Sequence, residues 1–115
     1  MLVHLDDTLR QLAATFNAES VGAAVVKATH PPALISERDI VNAIATGADL
    51  DETRVRDVMT EDVAVAAPTA DVLDVAFQML DNEIRHIPII EDDVVIGVVS
   101  VRDALRALAE RVRPR

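Results

Sequence analysis

The apolar and polar positions in the first half of the chain predict a helix, two strands and a second helix. A stripe at helical spacing indicates the first helix, and Asp6 and Asp7 place acidic residues at its start. A short apolar run, Ala23–Val26, is typical of a buried strand. The second helix is predicted from about residue 38 to 46, with Gly47 in position to cap its C-terminus. The stripe of the first helix comprises Leu5, Leu9, Leu12, Ala13 and Phe16.

The second half of the chain repeats this order. A helical stripe with Thr69 as its predicted N-cap is followed by two apolar runs, residues 87–90 and 94–99, which a polar turn separates. A helix from about residue 102 to 111 follows, and a further short strand is predicted over residues 63–65. The helical stripe comprises Val72, Val75, Ala76, Met79 and Leu80.

The two halves are similar in sequence, which indicates an ancient duplication. Residues 35–40 return as residues 99–104, an offset of 64, and this alignment extends in both directions without a gap. We place the copies at residues 1–51 and 52–115. Because a unit of roughly 50 residues buries little surface alone, we expect the copies to pack sheet against sheet about a pseudo-two-fold axis. The identities in the N-terminal part are Asp7 with Asp71, Leu9 with Leu73 and Glu19 with Glu83.

Composition narrows the class of protein. Half of the residues are apolar and 27% are charged, which is typical of a folded domain with an aliphatic core. Twenty acidic against eleven basic residues give a net charge of −9, which argues against a nucleic-acid partner. The chain has no cysteine, tryptophan or tyrosine, which excludes disulfides and argues against stacking platforms for nucleobases. No apolar run approaches the ~20 residues of a membrane span, and no signal peptide is visible. We therefore expect a cytoplasmic protein without membrane contact.

Three spaced motifs resemble those of cystathionine-β-synthase (CBS) domains. They are an entry segment at residues 55–60, a strand with a central proline at residues 84–90, and a Gly-x-x-Ser-x-x-Asp pattern at residues 97–103. Together with the duplication, they make the chain similar to a tandem CBS pair, the arrangement called a Bateman module. The resemblance implies an α+β fold of two pseudo-symmetric β-α-β-β-α CBS motifs, the first with a degenerate hairpin.

The resemblance also implies a regulatory, ligand-sensing function. CBS pairs bind adenosine-containing nucleotides (AMP, ADP, ATP or S-adenosylmethionine) in the cleft between their motifs, where the motif Asp accepts hydrogen bonds from the ribose. The motif Ser lies near the ribose and phosphate. A homodimer is implied as well, and no cofactor apart from the nucleotide as regulatory ligand. The ligand-binding residues implied are Val63, Val65, Arg85, His86, Ile87, Pro88, Gly97, Ser100, Arg102 and Asp103 in the second copy, and Ser36, Arg38 and Asp39 in the first.

The chemistry of these residues suits such a ligand. The carboxylate of Asp103 can accept two charge-assisted hydrogen bonds from a diol, and Gly97 allows close approach because it lacks a Cβ. The start of the helix after Ser100 is expected to offer backbone N–H groups to phosphate. The pattern Ser-x-x-Asp is also that of a helix capping box, and the two roles are compatible.

The first copy departs from the pattern. Ala33 stands where the second copy has Gly97, which obstructs close approach of a ligand, and Pro31 and Pro32 lack the N–H groups that a strand ladder needs. We therefore expect nucleotide binding mainly at the second copy. A stand-alone module of this kind is expected to act on another chain; otherwise this chain is a fragment of a longer protein. The first copy lacks a counterpart of residues 55–60 before it, from which we expect trimming.

A hypothesis from another class is a structural dimerisation or interaction module with vestigial nucleotide sites, which the degenerate first hairpin favours. An enzyme is the weakest option. The sequence shows no activated nucleophile, no histidine or cysteine spacing of a metal site and no Gly-rich phosphate loop among its three glycines. The sequence therefore favours binding over catalysis.

Overall fold

A computed structural model describes residues 1–114 of the chain, which adopt an α+β fold. The chain forms two compact units, Met1–Val63 and a second unit that begins at Ala64. The strands are β1 (Leu2–Val3), β2 (Ala23–Val26), β3 (Ala33–Ser36), β4 (His86–Glu91) and β5 (Val94–Ser100), and the helices are α1 (Leu9–Glu19), α2 (Glu37–Ala45), α3 (Val55–Val58), α4 (Val72–Asn82) and α5 (Val101–Val112).

The first unit contains a three-stranded sheet in the order β1-β2-β3. β1 runs parallel to β2, and β3 runs antiparallel to it with Leu34 opposite Val25. On its other side β3 pairs with the segment that follows α3. The backbone N–H of Leu34 donates to the carbonyl of Thr60 (3.0 Å), and the N–H of Thr60 donates to the carbonyl of Leu34 (2.8 Å). Leu34 is therefore hydrogen-bonded on the side of β3 that faces away from β2.

The core of the first unit lies between its sheet and its helices. Leu9, Leu12 and Phe16 are buried along one side of α1, as the helical spacing predicts. Ile35 contributes from β3, and Val55 at the start of α3 is fully buried in the same cluster. A residue from the segment between the repeats is thus part of the core of the first unit.

The second unit contains an antiparallel hairpin of β4 and β5. Its turn residues, Asp92 and Asp93, both have positive φ (51° and 64°). Two such residues are typical of a type I′ turn, whose twist matches that of the flanking strands. The ladder is interrupted by a bulge, because Ile89 faces Gly97 while Ile90 faces Val95. The predicted hairpin and its polar turn are confirmed.

The core of the second unit is smaller. Its buried residues are Val75 and Met79 of α4, Ile87 of β4 and Ala104 of α5. Leu80, which the apolar stripe placed in this core, is instead 72% exposed. The apolar stripe of α4 therefore extends beyond the part of the helix that the second unit buries.

The register between the repeats changes at the hairpin. Before it, equivalent positions are 63 residues apart: Thr8 and Asp71 are the N-caps of α1 and α4, and Ser20 and Glu83 are the left-handed residues that end them. After it, the offset is 64, because the capping pairs that start α2 and α5 are 64 residues apart. The second repeat has one more residue in its hairpin.

The gap-free offset of 64 is therefore wrong for the part of the chain before the hairpin. The identities that it assigned there, at Asp7, Leu9 and Glu19, do not join equivalent positions. Leu12 and Phe16, buried in α1, correspond instead to Val75 and Met79, buried in α4. The offset of 64 pairs the fully buried Leu9 with the exposed Leu73, so matched burial, and not residue identity, fixes the register of the helix.

The strand predicted over residues 63–65 is absent from residues 1–114. In the predicted region Ala66 forms an isolated bridge with β4: its N–H donates to the carbonyl of Pro88 (3.1 Å), and its carbonyl accepts from the N–H of Ile90 (2.9 Å). In the first repeat the N–H of Val25 donates to the carbonyl of Met1 (3.1 Å). Pro88 occupies the position of Val25 and has no N–H, so the equivalent bond is not available and the ladder ends.

The predicted start of the first helix needs correction in both repeats. α1 begins after Asp6 and Asp7, and its cap is Thr8, whose hydroxyl accepts from the N–H of Gln11 (3.1 Å). The N-cap of α4 is Asp71 rather than Thr69, and its carboxylate accepts from the N–H of Leu73 (2.8 Å). Asp and Thr are both good caps, so composition alone did not select between neighbouring candidates.

The compact units divide after Val63, whereas the boundary predicted between the two sequence repeats lies between residues 51 and 52. Residues 50–60 pack on the first unit, and we call them the covering segment. The N–H of Leu9 donates to the carbonyl of Thr53 (3.0 Å), and the N–H of Val55 donates to the carbonyl of Asp7 (2.9 Å). Gly47 ends α2 with φ of 85°, as predicted, and starts the turn that leads into this segment.

Candidate ligand-binding site

The Ser-x-x-Asp motif of the second repeat lies where β5 ends and α5 begins. The backbone N–H of Ser100 donates to Oδ2 of Asp103 (2.9 Å), and the N–H of Asp103 donates to Oγ of Ser100 (3.0 Å). These bonds form a capping box, so the structural role of the motif is confirmed. They also fix the carboxylate of Asp103 at the exposed start of α5.

Asp103 is held in its ionised form. The hydrogen bond from the backbone N–H of Ser100 lowers the pKa of its carboxyl group, and the Ser100 hydroxyl and the charges of Arg106 and His86 act in the same direction. Partial burial opposes them. Like any carboxylate that is ionised at neutral pH, that of Asp103 accepts hydrogen bonds and does not donate them, which suits hydroxyl groups of a ligand.

Arg106 did not enter the sequence-based site. It follows Asp103 by three residues on α5, a spacing that places two side chains on the same side of a helix. Its charge is one of the causes of the lowered pKa of Asp103. This spacing is the sequence signal that could have identified Arg106, provided that the start of the helix is known.

Arg85 and His86 lie beside this motif. His86 is the first residue of β4 and pairs with Ser100 across the hairpin. The carbonyl of Arg85 accepts from the N–H of Val101 (2.9 Å). The start of α5 was expected to offer its N–H groups to phosphate, but those of Val101 and Asp103 already donate within the chain. A ligand at this site would depend more on side chains than the sequence suggested.

The remaining candidates of the second repeat divide between core and surface. Ile87 and Pro88 are fully buried, and Ile87 belongs to the core. Gly97 is exposed, and a Cβ placed on it would meet no atom within 4 Å. Arg102 and Val65 are exposed as well, whereas Val63 is half-buried at the end of the first unit. Ile87 and Pro88 are therefore framework residues of the strand, whereas Gly97, Arg102 and Val65 lie at the surface.

The first repeat has the same motif in a more covered setting. The N–H of Ser36 donates to Oδ2 of Asp39 (2.8 Å), and the N–H of Asp39 donates to Oγ of Ser36 (3.4 Å). Asp39 is half-buried, while Arg38 is exposed. Ala33, at the position of Gly97, is buried with 1% of its surface exposed. The surface that is open beside Gly97 is therefore closed beside Ala33.

Residues 1–114 contain no group of three or more histidine, cysteine, aspartate or glutamate side chains arranged to hold a metal ion. Within the same residues, none of the helices combines the length and the apolar character needed to cross a membrane.

Comparisons with known proteins give the family. A family model of the CBS domain matches residues 55–110. The chain is 38% identical over 115 residues to the CBS domain-containing protein CBSX3 of Arabidopsis thaliana, which is described as mitochondrial. That alignment covers 94% of this chain and 56% of the relative, so this chain spans little more than half of the length of the relative. This chain belongs to the CBS-domain family.

Solved CBS-domain structures match both repeats. A CBS-domain protein from Agrobacterium tumefaciens gives a TM-score of 0.87 at 27% identity. That match covers 94% of this chain and 88% of the Agrobacterium chain. A CBS-domain protein from Pyrobaculum aerophilum was solved in complex with AMP and gives a TM-score of 0.78 at 29% identity. That match covers 96% of this chain and 91% of the Pyrobaculum chain. The fold is thus that of a tandem CBS pair. CBS domains generally act as regulatory ligand-binding modules.

Proposed function

We propose that this CBS chain is a regulatory module that binds an adenosine-containing nucleotide, chiefly at the second repeat. The observation that carries the proposal is Asp103: an exposed carboxylate with a lowered pKa, held by Ser100 at the start of α5. An ionised, fixed acceptor suits the two hydroxyls of a ribose. The Pyrobaculum relative was solved with AMP, and this supports an adenine nucleotide as the first ligand to test.

The surroundings of Asp103 suit an anionic ligand as well. Arg102 and Arg106 lie about one turn apart on α5, before and after Asp103, and Arg85 precedes β4. They provide local positive charge on a chain whose net charge is −9. The exposed Gly97 leaves backbone accessible on β5 beside the motif. We place the site at these residues, with Ser36, Arg38 and Asp39 of the more covered first repeat as a weaker second site.

The proposed action is regulatory and not catalytic. A ligand shifts a conformational equilibrium only by the difference between its affinities for the two states. We propose that nucleotide binding favours one arrangement of the chain and so changes what a downstream protein recognises. The motif carboxylates serve as caps and hydrogen-bond acceptors in both repeats, which supports binding over acid–base chemistry.

A thermal-shift panel tests this function. AMP, ADP, ATP, S-adenosylmethionine and NAD are added separately to the chain and the unfolding temperature is measured. At least one adenosine-containing ligand should raise it, since a ligand that binds only the folded state stabilises that state. The proposal fails if no ligand of the panel changes the unfolding temperature and Asp103→Ala behaves like the wild type throughout.

A structural interaction module is the second candidate, and one observation favours it. Leu73, Phe77 and Leu80 form an exposed apolar stripe on α4, and Leu105 on α5 is 65% exposed. Such side chains favour association with another protein surface. We propose that they contribute to a homodimer. A mass that depends on concentration, without any response to nucleotides, would favour this candidate over the first.

A further inference from the structure

Each Ser-x-x-Asp motif is joined to the start of its hairpin by the same backbone hydrogen bond. The N–H of Glu37 donates to the carbonyl of Gly22 (2.9 Å), and the N–H of Val101 donates to the carbonyl of Arg85 (2.9 Å). Gly22 directly precedes β2, and Arg85 directly precedes β4. Gly22 is therefore the structural counterpart of Arg85. Glu37 is, in the same way, the counterpart of Val101.

Gly22 leaves room for the carboxylate of Glu37. A Cβ at Gly22 would lie 2.8 Å from Oε1 of Glu37, which is closer than ordinary van der Waals contact. The φ of Gly22 lies outside the left-handed region, so the backbone does not itself require glycine there. The carboxylate of Glu37 thus lies where the side chain of Arg85 begins in the second repeat.

The charges around the two motifs differ in sign. The arginine and the aspartate within each motif offset each other in both repeats. Beyond them, the structurally matched positions carry Glu37 in the first repeat, and Arg85 and Arg106 in the second. The counterpart of Arg106 in the first repeat is the uncharged Asn42. The surroundings of the first motif are therefore negative and those of the second are positive.

We propose that Glu37 determines which ligand the first motif accepts. Its carboxylate repels phosphate, so phosphorylated nucleotides bind at the second motif, and the first motif prefers a nucleoside without phosphate. The repulsion grows with each negative charge on the ligand, whereas an uncharged nucleoside does not experience it. This inference rests on the proposed function, because it treats both motifs as ligand sites.

NMR titration of the isotope-labelled chain tests the proposal, because the amide signals of Asp39 and Asp103 report on the two motifs separately. Adenosine and AMP share base and ribose and differ by the phosphate, which makes them matched probes. In the wild type, AMP should shift the Asp103 signal at a lower concentration than the Asp39 signal. Adenosine should bind at Asp39 more tightly than AMP does.

Two substitutions of Glu37 separate charge from size. Glu37→Gln removes the charge at nearly constant size, and Glu37→Val supplies the residue of the second repeat. Both should raise the affinity for AMP at Asp39 about fivefold at low salt, the gain expected when one charge ~8 Å from a doubly charged phosphate is removed in water. The affinity for adenosine should change by less than about twofold. The gain for AMP should shrink at about 1 M salt, where the screening length is about 3 Å.

Glu52→Gln is the matched control, because it removes the same charge from an exposed position of the covering segment. The neighbouring Thr53 accepts from the N–H of Leu9 at the start of α1. Gly22 follows the other end of this 11-residue helix, about 16 Å along its axis. That separation exceeds the screening length of about 8 Å at physiological salt. Glu52→Gln should therefore leave AMP binding at Asp39 unchanged.

Val101→Glu makes the reciprocal change in the second repeat. It adds the carboxylate at an exposed position at the start of α5. AMP binding at Asp103 should weaken about fivefold at low salt, and adenosine binding should change by less than about twofold. Equal weakening of both ligands would contradict an effect of charge.

Three results with the first motif would overturn the proposal. They are an unchanged AMP affinity at Asp39 in Glu37→Gln, an equal gain for adenosine, and the same gain in Glu52→Gln. A gain in Glu37→Val that Glu37→Gln does not share would also overturn it, because the obstruction would then be steric. Failure of the proposed function gives a different result, since AMP would then leave the Asp103 signal of the wild type unshifted.

Discussion

Ser100 and Asp103 hold each other through two reciprocal hydrogen bonds, from each backbone N–H to the side chain of the other residue (2.9 and 3.0 Å). The pair starts α5 and at the same time presents an ionised carboxylate at the surface. Ser36 and Asp39 form the same pair in the first repeat. What separates the two motifs is their surroundings, since Gly97 leaves the second one open where the buried Ala33 closes the first.

The stability of the second unit should depend on pH through Asp103. Its carboxyl group has a lowered pKa in the folded chain, chiefly because it accepts from the N–H of Ser100. The ionised form therefore stabilises the fold above the ordinary pKa of Asp, about 3.9. This contribution is lost as the pH falls through the lowered value.

Urea unfolding of the wild type and of Asp103→Asn at several pH values checks this. The difference between their unfolding free energies should be constant from about pH 7 to pH 5 and shrink below about pH 4. Asp103→Asn is the suitable variant because asparagine retains an oxygen that can accept from Ser100. A difference that stays constant down to about pH 2.5 would contradict the assignment.

Replacing Gly47 with alanine should destabilise the first unit by about 1 kcal/mol, since an L-residue at positive φ is strained. Gly47 has φ of 85°, and a Cβ there would meet nothing within 4 Å, so the cost is conformational and not steric. Gly97→Ala is the matched control, because its added Cβ also meets nothing within 4 Å and its φ lies outside the left-handed region. Thermal unfolding should show a lower midpoint for Gly47→Ala only. Equal losses in both variants would refute the explanation.

Truncation of Val55 should destabilise the chain although it lies between the two sequence repeats. Its side chain is fully buried in the core of the first unit. Val55→Ala should cost about 2 kcal/mol from lost apolar burial and the cavity left behind. Val94→Ala removes the same atoms from a side chain that is 60% exposed, and it should cost less than about 0.5 kcal/mol. Denaturant unfolding compares them, and similar costs would show that residues 52–63 do not belong to the first unit.

The elements with strong local patterns were predictable from the sequence. The strand Ala23–Val26 and both helices that follow Ser-x-x-Asp motifs lie within one or two residues of their predicted positions. Apolar runs and capping boxes are local signals, so they need no knowledge of the partner surfaces.

The predictions that were wrong concern features that depend on residues distant in sequence. The strand before α4 is missing because Pro88, more than twenty residues later, lacks the N–H that a ladder there requires. The offset of 64 was extended too far because the extra hairpin residue is visible only once β4 and β5 are paired. Within the site, the hydrogen bond from the N–H of Val101 to the carbonyl of Arg85 depends on the pairing of β4 with β5, so it likewise required the packed structure.

The most direct test of nucleotide binding at the second repeat is isothermal titration calorimetry of AMP against three chains. These are the wild type, Asp103→Asn and Asp39→Asn, the last being the same substitution in the first repeat. We expect the wild type and Asp39→Asn to bind AMP with similar affinity and Asp103→Asn to bind at least tenfold more weakly, a loss of about 1.4 kcal/mol. Circular dichroism should show that all three remain folded. Equal affinity of the wild type and Asp103→Asn, or loss of binding only in Asp39→Asn, would contradict the account.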